Sequence, residues 1–327
     1  MNSFIAMKIV SRDHFKEPGM PEVTIADFAR SFAASEGEFS YECLQAIGNS
    51  DFSYRKLDQK QRDDVILCVL KKISSDTQVI GAEERTSVWE QGWAENLSAF
   101  NAQDHNLEAL IPKFIRENQP IRYDGDYIMP SNPRFEFDYM TVFRLWLFQK
   151  YFAGFSSIYE FGCGSGLNLV LLASLFPEKN LYGLDFVQPP VDLINTIGKT
   201  HNWRMTGFRF DMINPDYNFN LAARSAVFTF GALEQLASKT ESFIQYLLHQ
   251  KPGICIHVEP TVELYDENSL FDYLAIQFHR KRGYTERLLP RIQQLEIEGK
   301  AKIIGVKRLN FGSLFLEGYT YIIWQPV

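Results

Sequence analysis

Along the first 120 residues, apolar side chains recur every three or four positions over 24–35, 58–75, 81–100 and 104–118, and four helices are expected there. In the second, Val65, Ile66, Val69, Leu70 and Ile73 form the stripe, with Asp58 ahead of it as N-cap. No run of strand character interrupts them. Pro120, Gly125, Pro130 and Pro133 then crowd into 119–134, which suits an ordered connector, and one more long helix is expected over 135–152.

From 156 onward the period changes. Short β-branched and aromatic runs at 156–161, 180–185, 206–211, 225–230, 253–259, 302–309 and 317–325 alternate with helical stretches, which implies a parallel sheet with crossover helices. The last two runs are too close for a crossover and are expected to pair antiparallel. The expected division is a helical amino-terminal domain over 1–120, a connector and lid helix over 121–155, and a ligand-binding α/β domain over 156–327.

Composition adds mainly exclusions. A chain of 327 residues, 46% apolar and 22% charged, has the size and usage of a folded soluble protein with a real core. Lys and Arg number 33 against 40 Asp and Glu, and a net charge of −7 gives no general reason to coat nucleic acid. Cys43, Cys68, Cys163 and Cys255 form no CxxC pair, which fits neither a disulfide framework nor a zinc ribbon, and no aspartate cluster suggests a divalent metal. No apolar run would span a bilayer, and no signal-peptide stretch precedes Ser11 and Arg12. A cytoplasmic protein without membrane contact is expected.

The chemistry concentrates at Ile158-Tyr159-Glu160-Phe161-Gly162-Cys163-Gly164-Ser165-Gly166-Leu167-Asn168, a strand running through alternating glycines into a helix. Such glycines let a ligand lie against the main chain. A dinucleotide fingerprint would need a glycine where Leu167 stands, and Glu160 would repel a diphosphate while attracting a ligand that carries ammonium and sulfonium. Asp185, before Phe186 at the second strand end, can take both hydroxyls of a ribose, and Asp211 with Met212 at the third can meet an exocyclic amine and a purine face. Alone, Asp185 could as well cap the next helix and Asp211 a turn; together the three strand ends fit one nucleoside.

On these residues, 156–327 resembles the class I S-adenosylmethionine-dependent methyltransferases. The resemblance implies a Rossmann-like, seven-stranded, mostly parallel sheet ending in an antiparallel hairpin. It implies S-adenosylmethionine as cofactor and S-adenosylhomocysteine as product. Glu160, Gly162, Gly164 and Gly166 match its first motif, Asp185 its ribose acid, Asp211 and Met212 its adenine motif, and Phe230-Gly231 its fourth strand end. His257-Val258-Glu259-Pro260, Leu264-Tyr265-Asp266, Phe311-Gly312-Ser313 and Glu317-Gly318-Tyr319 resemble bacterial sugar O-methyltransferases, which makes a saccharide one candidate acceptor.

Methyl transfer to a hydroxyl needs a base. His257 is the first candidate, with Glu259 on the same strand face and Glu234 opening the helix after the fourth strand; a buried strand histidine and a helix-start carboxylate are the structural alternatives. Tyr265, Asp272 and His279, seven apart, could form an acceptor-recognition face or a solvated one. Nine basic residues against three acidic ones between Arg280 and Arg308 could hold an anionic group or simply face solvent. Arg122, Tyr123, Tyr127, Arg134 and Phe135 are placed to cover the cofactor or to pack, and the amino-terminal helices to cap substrate or to form a homodimer. The expected activity is methyl transfer to oxygen, less readily nitrogen, of a small polar acceptor. The rivals are a non-catalytic cofactor- or partner-binding module, a protein or nucleic-acid methyltransferase, and a dehydrogenase.

Overall fold

The computed structural model describes residues 19–78, 85–111 and 116–327. The helix starts read at 24 and 58 are real: Thr24 caps α1 (Ile25–Phe32) and Asp58 caps α3 (Gln59–Ser75). Each forms a reciprocal capping box with the residue three positions on, Asp27 or Gln61. Between them lie α2 (Tyr41–Asn49) and a strand the sequence reading lacked, β1 (Tyr54–Lys56). α4 (Arg85–Ala102) matches the third expected helix, whose residues 81–84 lie outside the described ones. The fourth, over 104–118, is among the described residues only a short turn of helix at Leu107–Leu110; residues 112–115 lie outside them. Asp104 and His105 reverse the chain there with φ of 52° and 60°.

The connector is a hairpin of β2 (Ile121–Tyr123) and β3 (Asp126–Pro130). Its turn residues, Asp124 and Gly125, both have positive φ (49° and 83°), and Asp-Gly is a residue pair such a turn favours. α5 (Phe135–Phe152) follows as expected and is buried on nearly every side, because its aromatic and aliphatic residues are spread around the whole helix.

Then come β4 (Ser157–Phe161), α6 (Leu167–Leu175), β5 (Asn180–Asp185), α7 (Gln188–His201), β6 (Met205–Arg209), β7 (Ala226–Phe230), α8 (Glu241–Gln250) and β8 (Ile254–Glu259). α9 (Leu270–Arg282), α10 (Leu288–Ile297), β9 (Ala301–Arg308), β10 (Phe311–Gly312) and β11 (Thr320–Pro326) complete the chain. The main sheet has seven strands in the order β6-β5-β4-β7-β8-β11-β9. The first five are parallel, and β11 runs antiparallel to both neighbours. This is the seven-stranded, mostly parallel sheet with an antiparallel close expected from the sequence.

A small antiparallel sheet, β1-β3-β2-β10, draws strands from the amino-terminal part, the connector and the loop before β11. One face of the main sheet shares a hydrophobic core with the amino-terminal elements, running from Phe28 and Phe52 through Trp146 and Phe148 to Ile158, Ile256 and Ile323. The other face packs Tyr159, Phe161, Val227 and Trp324 against Phe243, Leu247 and Ile292 of α8 and α10. The amino-terminal helices are thus docked on the α/β unit by apolar burial and by a shared sheet. Among the described residues no helix is long and apolar enough to cross a membrane.

Candidate active site

α6 and α7 pack on one face of the main sheet and α8 on the other, so the strand order reverses between β4 and β7. The crevice outside the carboxyl ends of strands at such a reversal is where α/β proteins seat ligands. The glycine turn lies at this point. Gly162 has φ of 75°, and a methyl there would stand 2.4 Å from Cβ of Ala232; Gly164 has φ of 49°, and a methyl there would stand 2.7 Å from the Trp93 indole. The amides of Gly162 and Cys163 both donate to the Leu184 carbonyl, at 2.7 and 3.1 Å, tying the turn to β5.

Beneath the turn is a buried polar group. Glu160 Oε1 accepts from Asn168 Nδ2 at 2.6 Å, and Asn168 Oδ1 accepts from Arg144 Nε at 2.6 Å. The Arg144 guanidinium lies over the Phe230 ring, 4.6 Å from its centroid. The Tyr319 hydroxyl donates to Glu136 Oε1 at 3.2 Å. Glu160 Oε2, Glu136 Oε2 and Arg144 Nη1 are buried with no hydrogen-bond partner. Burial pushes Glu160 up to about 8 and Glu136 up to about 7, and lowers Arg144. Unpaired buried polar atoms are costly unless something completes them. Arg144, Glu136 and Tyr319 were missing from the expected site. For the first two the available signal was a charged residue flanked by aromatic and aliphatic side chains in the aromatic-rich 135–152 run; Tyr319 carried none.

At the next strand end, Asp185 accepts from the Gly164 amide at 3.2 Å through Oδ2 and from the Val187 amide at 3.3 Å through Oδ1; burial pushes it up to about 6. Exposed Phe186 lines a shallow cavity of about 200 Å³ with Arg209, Asp211, Asn214 and Phe219. Asp211 accepts from the Ile213 amide and from Asn214 Nδ2, both at 2.8 Å, the turn-capping arrangement weighed from the sequence. Met212 packs beside Gly162, its Cε 3.7 Å from where a methyl there would stand. Phe230 and Gly231 end β7, and the Gly231 amide donates to the Val258 carbonyl.

The three expected catalytic residues fare differently. His257 has no exposed surface. Its Nδ1 is 3.0 Å from Thr229 Oγ1, and burial pushes it down to about 3, so it is a neutral imidazole inside the sheet. This matches the buried-histidine alternative, and the geometry gives it no surface from which to act as base. Glu259 is also buried. Its carboxylate accepts the amides of Ala232, Leu233 and Glu234, each at 3.1 Å, which fixes the turn Leu233–Leu236. Glu234 sits at the start of that turn, half-buried, pushed up to about 8 by burial and by neighbouring Glu259.

The remaining candidates are used in packing. Tyr265 precedes α9 and donates to the Glu317 carbonyl, so it shares no helical face with Asp272 and His279. His279 Nε2 is 3.0 Å from the Thr285 carbonyl. Much of the basic stretch is neutralised locally, through Arg282–Asp76, Arg280–Glu267, Arg291–Glu241 and Arg308–Asp272. Arg122 is fully buried with its guanidinium 3.4 Å from the Phe271 ring centroid; Tyr123, Tyr127 and Phe135 are buried too, and Arg134 pairs with Asp138. In this connector Arg122, Tyr123, Tyr127 and Phe135 thus turn inward to pack, as the alternative reading had it, while Arg134 stays partly exposed.

No family model matches this chain, and no curated protein does. Solved structures similar to it include the cyclase SpnF, at 10% identity and a TM-score of 0.48 over 77% of this chain and 97% of that one. The plantazolicin methyltransferase BpumL, solved with an analogue and SAH, is 14% identical with a TM-score of 0.40 over 75% and 99%. A SAM-dependent methyltransferase from Aquifex aeolicus is 12% identical with a TM-score of 0.36 over 53% and 82%. Likenesses this distant carry nothing about activity, and the fold assignment stands on the strand order itself.

Proposed function

We propose that this protein binds S-adenosylmethionine in the crevice above β4 and transfers its methyl group to an oxygen, less readily a nitrogen, of a small polar acceptor, with saccharides among the candidates. The observation that carries the reading is the pair of unsatisfied buried atoms, Glu160 Oε2 and Arg144 Nη1, under the glycine turn. A carboxyl and a guanidinium joined through Asn168 complement the ammonium and carboxylate of an amino-acid group, and a diphosphate would leave Glu160 opposed. Asp185 stands at the neighbouring strand end to accept ribose hydroxyls, and the cavity beside Phe186 and Asp211 offers a ring face and acceptors to a purine.

When bound, the cofactor supplies a methyl group already activated on a sulfonium. The chain's part is then to hold both reactants in line and to take a proton. Glu234 is the proposed base: it is half-buried near the end of β7, and a carboxyl pushed up to about 8 is a stronger proton acceptor than an ordinary one. Glu259 is a positioning residue that holds the Glu234 amide.

Titration calorimetry with S-adenosylmethionine and S-adenosylhomocysteine tests the binding half, and release of S-adenosylhomocysteine across a panel of sugars and other hydroxyl acceptors tests the transfer half. Binding without turnover on any acceptor would favour a non-catalytic module. Binding of NAD in place of either compound would favour a dehydrogenase and remove the proposal.

A further inference from the structure

Trp93 holds the position over the glycine turn from which a ligand would have to approach. Gly164 is the middle glycine of the three, and its amide is fixed by Asp185 Oδ2 at 3.2 Å, so its free face is aimed and rigid. A methyl on that face would meet Trp93 Cη2 at 2.7 Å and Cζ2 at 2.8 Å. Glycine is needed there because something flat lies against the backbone, and in this conformation that is an indole from α4, about seventy residues away in the chain.

The helix carrying it is largely exposed at this end. Over 86–95 every residue except Trp89 and Trp93 is exposed, while Leu97 and Phe100, further along, join the main core. The two indoles stack on each other at 6.2 Å and 17°. Gly92, within the same turn, weakens the helix further. A segment that buries so few side chains opens at lower free-energy cost than the turn beneath it, which is fixed by the sheet.

We infer that Trp93 is a plug that the cofactor displaces: with the indole against Gly164 the crevice is closed, and α4 is the element that must move for the face of Gly164 to be taken. This rests on the cofactor reading given above. A plug lowers apparent affinity by the fraction of molecules that are closed, and its removal restores the intrinsic affinity.

The experiment is titration of the full chain with S-adenosylhomocysteine, followed by calorimetry and by tryptophan emission, in wild type, Trp93→Leu and Trp93→Phe. The expected result is binding about tenfold tighter in Trp93→Leu than in wild type, with Trp93→Phe between them. Ligand is also expected to shift wild-type emission to the red as the indole enters water, a shift absent from both variants. Should Trp93→Leu fail to fold, Trp93→Phe and the wild-type emission decide the matter. Equal affinity in all three proteins, or weaker binding in the variants, overturns the plug and leaves the cofactor reading standing. Binding in none of them overturns the cofactor reading, and the plug with it.

Discussion

Arg308 grips Asp272 with two parallel hydrogen bonds, Nη1 to Oδ2 at 2.7 Å and Nη2 to Oδ1 at 2.6 Å. The pair belongs to a closed ring of alternating charge: Arg122 lies 3.6 Å from Asp272 and 3.5 Å from Glu317, and Glu317 lies 2.7 Å from Arg308. This ring ties β2, α9, β9 and the segment entering β11. Burial alone would raise Asp272, but Arg308 holds it below the usual carboxylate range. Removing one partner of a buried pair strands the other charges, and Asp272→Ala is expected to lower stability by about 3–5 kcal/mol. Urea unfolding checks this; a loss under about 1 kcal/mol would mean the ring contributes as little as a surface pair.

Arg144 separates the two ends of the proposed ligand. Arg144→Lys keeps a charge but loses the planar guanidinium, so S-adenosylhomocysteine is expected to bind about tenfold more weakly. Adenosine, which lacks the amino-acid group, is expected to bind wild type and variant alike. Equal weakening of both ligands in calorimetry would make Arg144 a structural residue only.

The carboxyls under the turn set a pH dependence with a definite sign. Glu160 and Glu136 ordinarily ionise near 4.5 and are pushed up to about 8 and about 7 in the fold, chiefly by burial. The folded protein therefore binds more protons than the unfolded chain between those values. Their contribution to stability is complete below about pH 4.5 and is lost as pH rises through 7 to 8. The melting temperature should fall from pH 6 to 8.5, and fall less in Glu160→Gln. S-adenosylhomocysteine affinity should rise over the same range, because Glu160 must be ionised to hold an ammonium. A wild-type melting profile that is flat or rising in this window would contradict the assignment.

Two glycines offer a steric contrast. Gly162→Ala adds a methyl 2.4 Å from Cβ of Ala232 at a backbone φ of 75°, so clash and strain together are expected to cost about 3 kcal/mol or more, and to loosen the turn. Gly305→Ala adds one in ordinary contact with Tyr321, 3.7 Å away, and should stay within about 0.5 kcal/mol of wild type. Thermal melts of the two variants, compared directly, test whether the tight approach of the turn to the β7 loop is as close as described.

What the chain declares by itself is local. The stripe behind Asp58, the apolar helix at Phe135–Phe152 and the strand at Asn180–Asp185 were all legible, because a period of two or 3.6 reports which face of a segment is buried. The alternation of strands and helices was enough for the main sheet and its antiparallel close. β1 and β10 were not legible, being three and two residues long and made strands only by their partners. The Asp124-Gly125 turn was legible in principle and was masked by the surrounding prolines.

Tertiary contact decided the charges. Arg280, Arg282, Arg291 and Arg308 read as a basic run because their partners Glu267, Asp76, Glu241 and Asp272 lie elsewhere in the chain. His257 was correctly put on the same face as Glu259, but only the packing beside Trp324 shows that face to be interior at His257. Arg144 and Glu160 come together through Asn168, and Trp93 reaches Gly164 from another segment altogether. A sequence pattern fixes which way a side chain faces; what it faces, and hence whether a charge is spent or left for a ligand, depends on contacts between residues far apart in the chain.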